Sequence, residues 1–303
     1  VFAIRAASLY DEAGEDALRE VAPVRRPVLE LVPSERIRFH EKLERRRTRK
    51  LVERLRAEAR LRNPPIVASI PGGDYLLLDG ANRASALAEL GYSHVPVQVV
   101  DYGSPDVHLK GWHHLLMDTA GALELRATYG RFPGISIRRV DQAALLTLLE
   151  LRGVFAVLVE EGNACWGLFP DGSDQLIPIE RRIEALNEIV DAYEGQSQIE
   201  RIKLADYSQL PQVIDEARHE LILFPVLHKE ELVSLAARDI LIPTGLTRHL
   251  VPGRTLGLNI ELAFLNELAT HEQKVEHFHS YLDRLEVEGR IRFYEEALFI
   301  MNE

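Results

Sequence analysis

The sequence predicts a mixed α/β chain of the α+β kind, with a small N-terminal unit packed on a larger mixed α/β C-terminal part. Three observations carry that expectation. A polar helix pattern, a hairpin, a short helix and a strand follow one another between His40 and Val100, enough elements for one small layered domain. Gly103-Ser104-Pro105 then interrupts the apolar patterning with residues that favour turns. The charge also divides: residues 1–65 hold 16 Lys/Arg against 11 Asp/Glu, whereas the rest of the chain holds 20 against 36. The predicted segments are an extension at 1–27, a compact unit at 28–102 and a larger part at 103–303.

Asp11–Val21 reads as a short helix of mixed charge, and Pro23–Pro27 as an extended piece. Val28–Val32 reads as a strand closed by Pro33. From His40 to Arg62 the spacing predicts a long polar helix, with Leu43, Leu51, Leu55 and Ala59 on one stripe. Asn63-Pro64-Pro65 stops it, because proline disfavours helical geometry in the residue before it. Its basic run Arg45–Lys50 suits a solvated face supported by pairs such as Glu41 with Arg45, or a phosphate-binding one. Ile66–Ile70 and Tyr75–Leu78 flank Pro71-Gly72-Gly73-Asp74 and read as a hairpin. Ala81–Leu90 is a predicted helix with Ala84, Leu87, Ala88 and Leu90 inward and Gly91 as its left-handed cap. Val95–Val100 is a strand.

Further on, strands are expected at His108–Met117, Val154–Glu160 and Ala164–Leu168, and helices at Gln142–Leu151 and Arg181–Tyr193. A strand and loop at Ile240–Leu250, a short apolar segment at Leu262–Leu268, a helix at His271–Leu285 and a closing element at Ile291–Ile300 complete the pattern.

Composition narrows the class. Of 303 residues, 46% are apolar and 27% charged, as in ordinary globular chains. No stretch approaches the ~18 apolar residues of a spanning helix, and Val1–Leu9, interrupted by Arg5, is too short for a signal peptide. The single cysteine, Cys165, can form neither an internal disulfide nor a cysteine-based zinc site. It reads as a small core residue, and a cytoplasmic location is expected. His271, His277 and His279 share a predicted helix without the spacing of three or four that two ligands need, so no metal site is predicted there. The net charge of −11 disfavours non-specific nucleic-acid coating, while the basic front draws anionic ligands.

The most informative stretch runs from Leu76 to Leu87, with Asp79-Gly80-Ala81-Asn82-Arg83 at its centre. A strand delivers a carboxylate, glycine permits a sharp turn, and a helix begins with Asn and Arg in its first turn. Helix N-termini present unpaired N–H groups that hold phosphate or carboxylate oxygens. Arg83 adds a planar fork for such oxygens. Asp79 can cap the helix, or can bind Mg²⁺ beside the phosphates of a nucleotide.

This segment is similar to the Asp-Gly-x-His-Arg signature of the ParB/sulfiredoxin-like superfamily, and the chain most resembles its free serine kinase branch. Phe39-His40-Glu41, Asn63-Pro64-Pro65-Ile66-Val67 and Val95-Pro96-Val97-Gln98 carry the likeness. Trp112 with His114, Ile199-Glu200-Arg201-Ile202, Ile242 to Arg248, Gly253-Arg254 and the Tyr294 ending extend it. Sulfiredoxins place a catalytic cysteine in the turn where Ala81 and Asn82 stand here, and partition ParB proteins carry basic downstream domains where this chain is acidic.

The resemblance implies a small ParB/sulfiredoxin-like domain at 28–102 that handles nucleotide phosphates, and a substrate domain at 103–303. It implies transfer of the terminal phosphate of ATP or ADP to free L-serine with Mg²⁺. Glu41 would be the base that takes the serine proton, and Asp79 the acid near the transferred phosphate and the Mg²⁺ ligand. Gly80, Ala81, Asn82 and Arg83 would form the phosphate cradle, with Asn82 where the family pattern has His. Trp112, His114, Thr247 and Arg248 would surround the serine. Two alternatives stand beside this: a catalytically silent metabolite- or nucleotide-binding relative, and a ParB-like DNA-binding regulator that uses Arg45–Lys50. DNA is the less expected partner.

Overall fold

The computed structural model describes residues 26–117, 124–172, 177–204, 220–267 and 270–292. The predicted helix at Asp11–Val21, the extended piece up to Arg25 and the ending at Tyr294 lie outside those residues.

The first unit contains β1 (Val28–Pro33), β2 (Ile37–Arg38), α1 (Arg45–Glu58), β3 (Arg60–Leu61), β4 (Ile66–Ser69), β5 (Tyr75–Asp79), α2 (Ala81–Glu89) and β6 (His94–Val100). Five of its strands form a mixed sheet in the order β1-β6-β4-β5-β2. Alternation along these strands sends side chains to two faces. Val67, Leu77, Val95 and Val97 pack on one face with Val52 and Leu55 of α1 and Ala84 and Leu87 of α2. Ile66, Ala68, Leu76 and Leu78 face the other way, into the largest core.

The remainder contains β7 (His108–Gly111), β8 (His113–Met117), α3 (Leu125–Tyr129), β9 (Ile135–Val140), α4 (Leu145–Glu150), β10 (Ala156–Glu160), β11 (Ala164–Pro170), α5 (Ile179–Asp191), β12 (Gln198–Ile202) and β13 (Glu220–Leu223). After them come α6 (Lys229–Ala236), β14 (Thr247–Leu250), β15 (Ile260–Glu261), α7 (Phe264–Glu267) and α8 (His271–Val287). An antiparallel six-stranded sheet runs β12-β8-β13-β10-β11-β9. In β10, Ala156 and Leu158 join the largest core with Ile183, Leu186 and Ile189 of α5. Val157 and Val159 join a smaller core with Leu145, Leu149 and Cys165. The two sheets therefore share the largest core. The chain then returns to the first unit, where Leu258, Ile260, Phe264 and Phe278 join the core that α1 and α2 also line.

Three local departures from the sequence pattern bear on the site. Helix α1 begins at Arg45 rather than His40, because His40–Lys42 is drawn into strand-like pairing. The Ile242 N–H donates to the His40 carbonyl and the Lys42 N–H donates to the Ile242 carbonyl, each at 2.9 Å. Glu41 thus lies ahead of the helix and cannot pair with Arg45 as a helical neighbour, and Leu43 is exposed. The helix ends at Glu58, before the prolines, with Ala59 in a left-handed cap. The predicted strand His108–Met117 divides at Trp112, with β7 pairing to β14 and β8 joining the large sheet. In α2, Ala86 is buried and Ala88 exposed, since the sheet and α1 share the face that α2 turns inward.

Candidate active site

The turn between β5 and α2 is built as an anion cradle. Gly80 sits at φ +90°, and a Cβ there would lie 2.8 Å from Arg83 Nε and 3.0 Å from the Pro65 Cα. Only glycine reconciles that backbone with a guanidinium folded over it. The Ala84 N–H donates to the Gly80 carbonyl at 2.9 Å, which leaves the N–H groups of Ala81, Asn82 and Arg83 as the free first turn of the helix. Arg83 Nε is buried and has no hydrogen-bond partner among the described residues. A buried, unmade donor on a guanidinium is costly, and an anion at the helix start would satisfy it.

Asp79 does not cap α2. Its Oδ2 accepts from Arg254 at 2.6 Å and from Arg83 at 3.4 Å. Burial pushes its carboxyl up, but the two arginines and the Gly80 N–H outweigh that and hold it below the usual carboxylate range.

Glu41 lines the same cleft, which has a volume of about 760 Å³ and is also lined by Asp79 to Arg83, Trp112, Arg201 and Thr247. Its Oε2 accepts from the Gly245 N–H and its Oε1 from the Thr247 N–H, both at 2.8 Å. The Thr247 hydroxyl donates to Oε1 as well, and its other neighbour is His40 Nε2 at 2.8 Å. One carboxylate therefore fixes the loop before β14. Gly245 is required there, since its φ is +75° and a Cβ would collide with the Arg201 guanidinium.

The loop is held from behind by His114. Burial pushes this imidazole down to about 4, although its bond to Gly245 opposes the shift, so the ring is neutral near pH 7. Its Nε2 lies 3.0 Å from the Gly245 carbonyl and its Nδ1 2.7 Å from the Tyr193 hydroxyl. A carbonyl only accepts, so Nε2 carries the proton and Nδ1 accepts from Tyr193. His114 is 1% exposed and lies behind the cleft wall, not on it.

Trp112 borders a second cleft of about 690 Å³, lined also by Asp79, Asp106, Thr247, Arg248 and Arg254. The Arg248 guanidinium lies 5.0 Å from the Trp112 ring centre. Glu41 and Arg83 thus share the first cleft, Arg248 belongs to the second, and Asp79, Trp112 and Thr247 border both.

Several contributors are absent from the sequence-predicted set. Arg254 grips Asp79, yet it stands 175 positions away, and only its place in the Gly253-Arg254 pair marks it. Arg47 and Lys50 line the first cleft, so part of the basic run borders the site, although Arg46, Arg47, Arg49 and Lys50 are all exposed. His249 is the buried neighbour of His40, with ring centres 5.4 Å apart, and nothing in its local sequence distinguishes it. Among the described residues, no helix is long and apolar enough to cross a membrane, and no group of three or more His, Cys, Asp or Glu is placed to hold a metal ion.

No protein-family model matches the chain. It is 27% identical over 240 residues to the ATP-dependent L-serine kinase of Staphylothermus marinus, covering 77% of this chain and 90% of that one. It is 25% identical to the ATP-dependent L-serine kinase SbnI of Staphylococcus aureus, over 79% and 84% of the two chains. Among solved structures, C-terminally truncated SbnI aligns with a TM-score of 0.67 at 22% identity, over 84% of this chain and 96% of that one. A glutamate-to-alanine mutant of a free serine kinase in complex with ADP aligns with a TM-score of 0.65 at 19% identity, over 82% and 98%. The chain shares the mixed α/β fold of these structures and is similar, over most of its length, to curated ATP-dependent L-serine kinases.

Proposed function

We propose that the chain is a free serine kinase that transfers the terminal phosphate of ATP to the hydroxyl of L-serine, giving O-phospho-L-serine. One observation carries this reading: a single cleft is lined both by a carboxylate, Glu41, and by an anion cradle, Gly80 to Arg83. A phosphoryl group needs little covalent work from a protein, so positioning and charge neutralisation supply most of the acceleration. The unit at 28–102 provides Glu41, Asp79 and the ParB/sulfiredoxin-like cradle. The part at 103–303 provides Trp112, Thr247 and Arg248, with His114 as a support to the loop.

Glu41 is the base. Of its three donors, two are backbone N–H groups held by the loop, whereas the Thr247 hydroxyl can rotate toward His40. Rotation frees a lone pair on Oε1 for the serine hydroxyl, which Glu41 orients and deprotonates as the new bond forms. Arg83 and the free N–H groups of α2 take the phosphate charge. Arg248, stacked on Trp112, suits the serine carboxylate as a bidentate donor. Mg²⁺ bound to nucleotide is commonly held through one or two carboxylates plus phosphate oxygens. Asp79, the carboxylate beside the cradle, fits that use, and the ion would neutralise phosphate charge.

Incubation of the protein with Mg²⁺, ATP and L-serine is expected to yield phosphoserine, detected by mass spectrometry. Absence of phosphoserine with both ATP and ADP across neutral and mildly alkaline pH overturns the reading.

A further inference from the structure

Asn82 stands at the second position of α2 and lines the cleft. An asparagine there has two faces of opposite use: a carbonyl oxygen that repels an anion and an NH₂ that binds one. Which face meets the cleft is decided by helix α1. The Thr48 hydroxyl, on a residue only 5% exposed, donates to Asn82 Oδ1 at 2.9 Å. The carbonyl is thereby turned to α1, and the NH₂ is left to the cleft. In the reversed amide the NH₂ would donate to the Thr48 oxygen, and the Thr48 hydroxyl would have to donate to the Glu44 carbonyl at the poorer distance of 3.4 Å. Reversal would also set a carbonyl oxygen beside the free N–H groups of the cradle, where the bound group is an anion.

We infer that Thr48 is a positioning residue that locks the Asn82 amide with its NH₂ toward the donor phosphates, so that Thr48 and Asn82 act as one unit. This rests on the kinase reading above. The unit supplies a neutral, pH-independent donor where Arg83 supplies the charge, and it couples the register of α1 to the start of α2. It acts on phosphate affinity, because Asn82 contacts neither Glu41 nor Arg248 among the described bonds.

The test uses the full chain and Mg²⁺-ATP, with dissociation constants from titration calorimetry, and adenosine as a phosphate-free probe. Thr48→Val keeps the shape and removes the hydroxyl. It is expected to weaken ATP binding about tenfold, the loss of one well-aligned bond to an anion, with adenosine binding unchanged. Thr48→Ser, which keeps the hydroxyl, is expected to stay within about twofold of the parent. Asn82→Ala should weaken ATP by a similar factor, and adding Thr48→Val to it should bring almost no further loss, because the two residues share one interaction. Equal ATP affinity in Thr48→Val and the parent, or fully additive losses in the double variant, overturns the inference while the kinase reading stands. A parent protein that does not bind ATP overturns both.

Discussion

Replacing Glu41 by glutamine is expected to lower serine turnover about 10³-fold, the scale of a lost general base, while ATP affinity stays within about threefold. Glutamine keeps the length of the side chain and removes the lone pair that receives the serine proton. It also replaces one accepting oxygen by an NH₂, which cannot accept from Gly245 or Thr247. The loop before β14 therefore loosens, and the KM for serine rises together with the fall in kcat. ATP binding is spared because the cradle from Gly80 to Arg83 belongs to the start of α2, whereas Glu41 is bonded to the loop before β14. Initial-rate kinetics with calorimetric ATP titration check the split. Unchanged turnover removes Glu41 as the base, and a collapse of ATP affinity shows instead that it is part of the nucleotide site.

Acidification is expected to destabilise the protein steeply between pH 6.5 and 4. Burial drives His113 and His114 down to about 4 and His249 down to about 3, against an ordinary value of 6.5. The unfolded chain takes up protons on these rings as pH falls below about 6.5, and the folded chain does not until near 4. Stability is thus fully present above 6.5 and is lost toward the folded values, on the order of 2–3 kcal/mol for each ring at pH 4.5. The sum is comparable to the whole stability of a typical domain, roughly 5–15 kcal/mol. Asp79, held low by its arginines, acts in the same direction at still lower pH. Glu220 opposes them: burial beside Glu160 raises it to about 7, so its protonation relieves the folded state over the same range. Three rings outweigh one carboxyl. Urea midpoints that fall from pH 7 to 4.5, with the three imidazole resonances not titrating until below pH 5, are the expected result. Resonances that titrate near 6.5 contradict it.

The local elements of the site are legible in the chain because their causes are local. Asp79-Gly80 ends a strand and begins a helix through the positive φ that glycine permits, and Arg83 lies one turn on. The apolar alternation of β4, β5 and β6 likewise marks their two buried faces before any neighbour is known. What the pattern misses is set by distant partners. The start of α1 is moved by backbone bonds to Ile242, and no property of His40 or Lys42 announces them. Arg254 reaches Asp79 only because the loop after β14 folds back over β5. The resemblance places His114 in a binding wall, but β8 buries it in the large sheet, where it acts through Gly245.

The account stands on the convergence of Glu41 and the α2 cradle on one phosphate. The most direct measurement is a crystal structure of the protein with L-serine and a non-hydrolysable ATP analogue. The account predicts the terminal phosphate against the N–H groups of Ala81 to Arg83, with the serine hydroxyl between it and Glu41. A nucleotide bound outside this cleft, or a serine hydroxyl remote from Glu41, contradicts it.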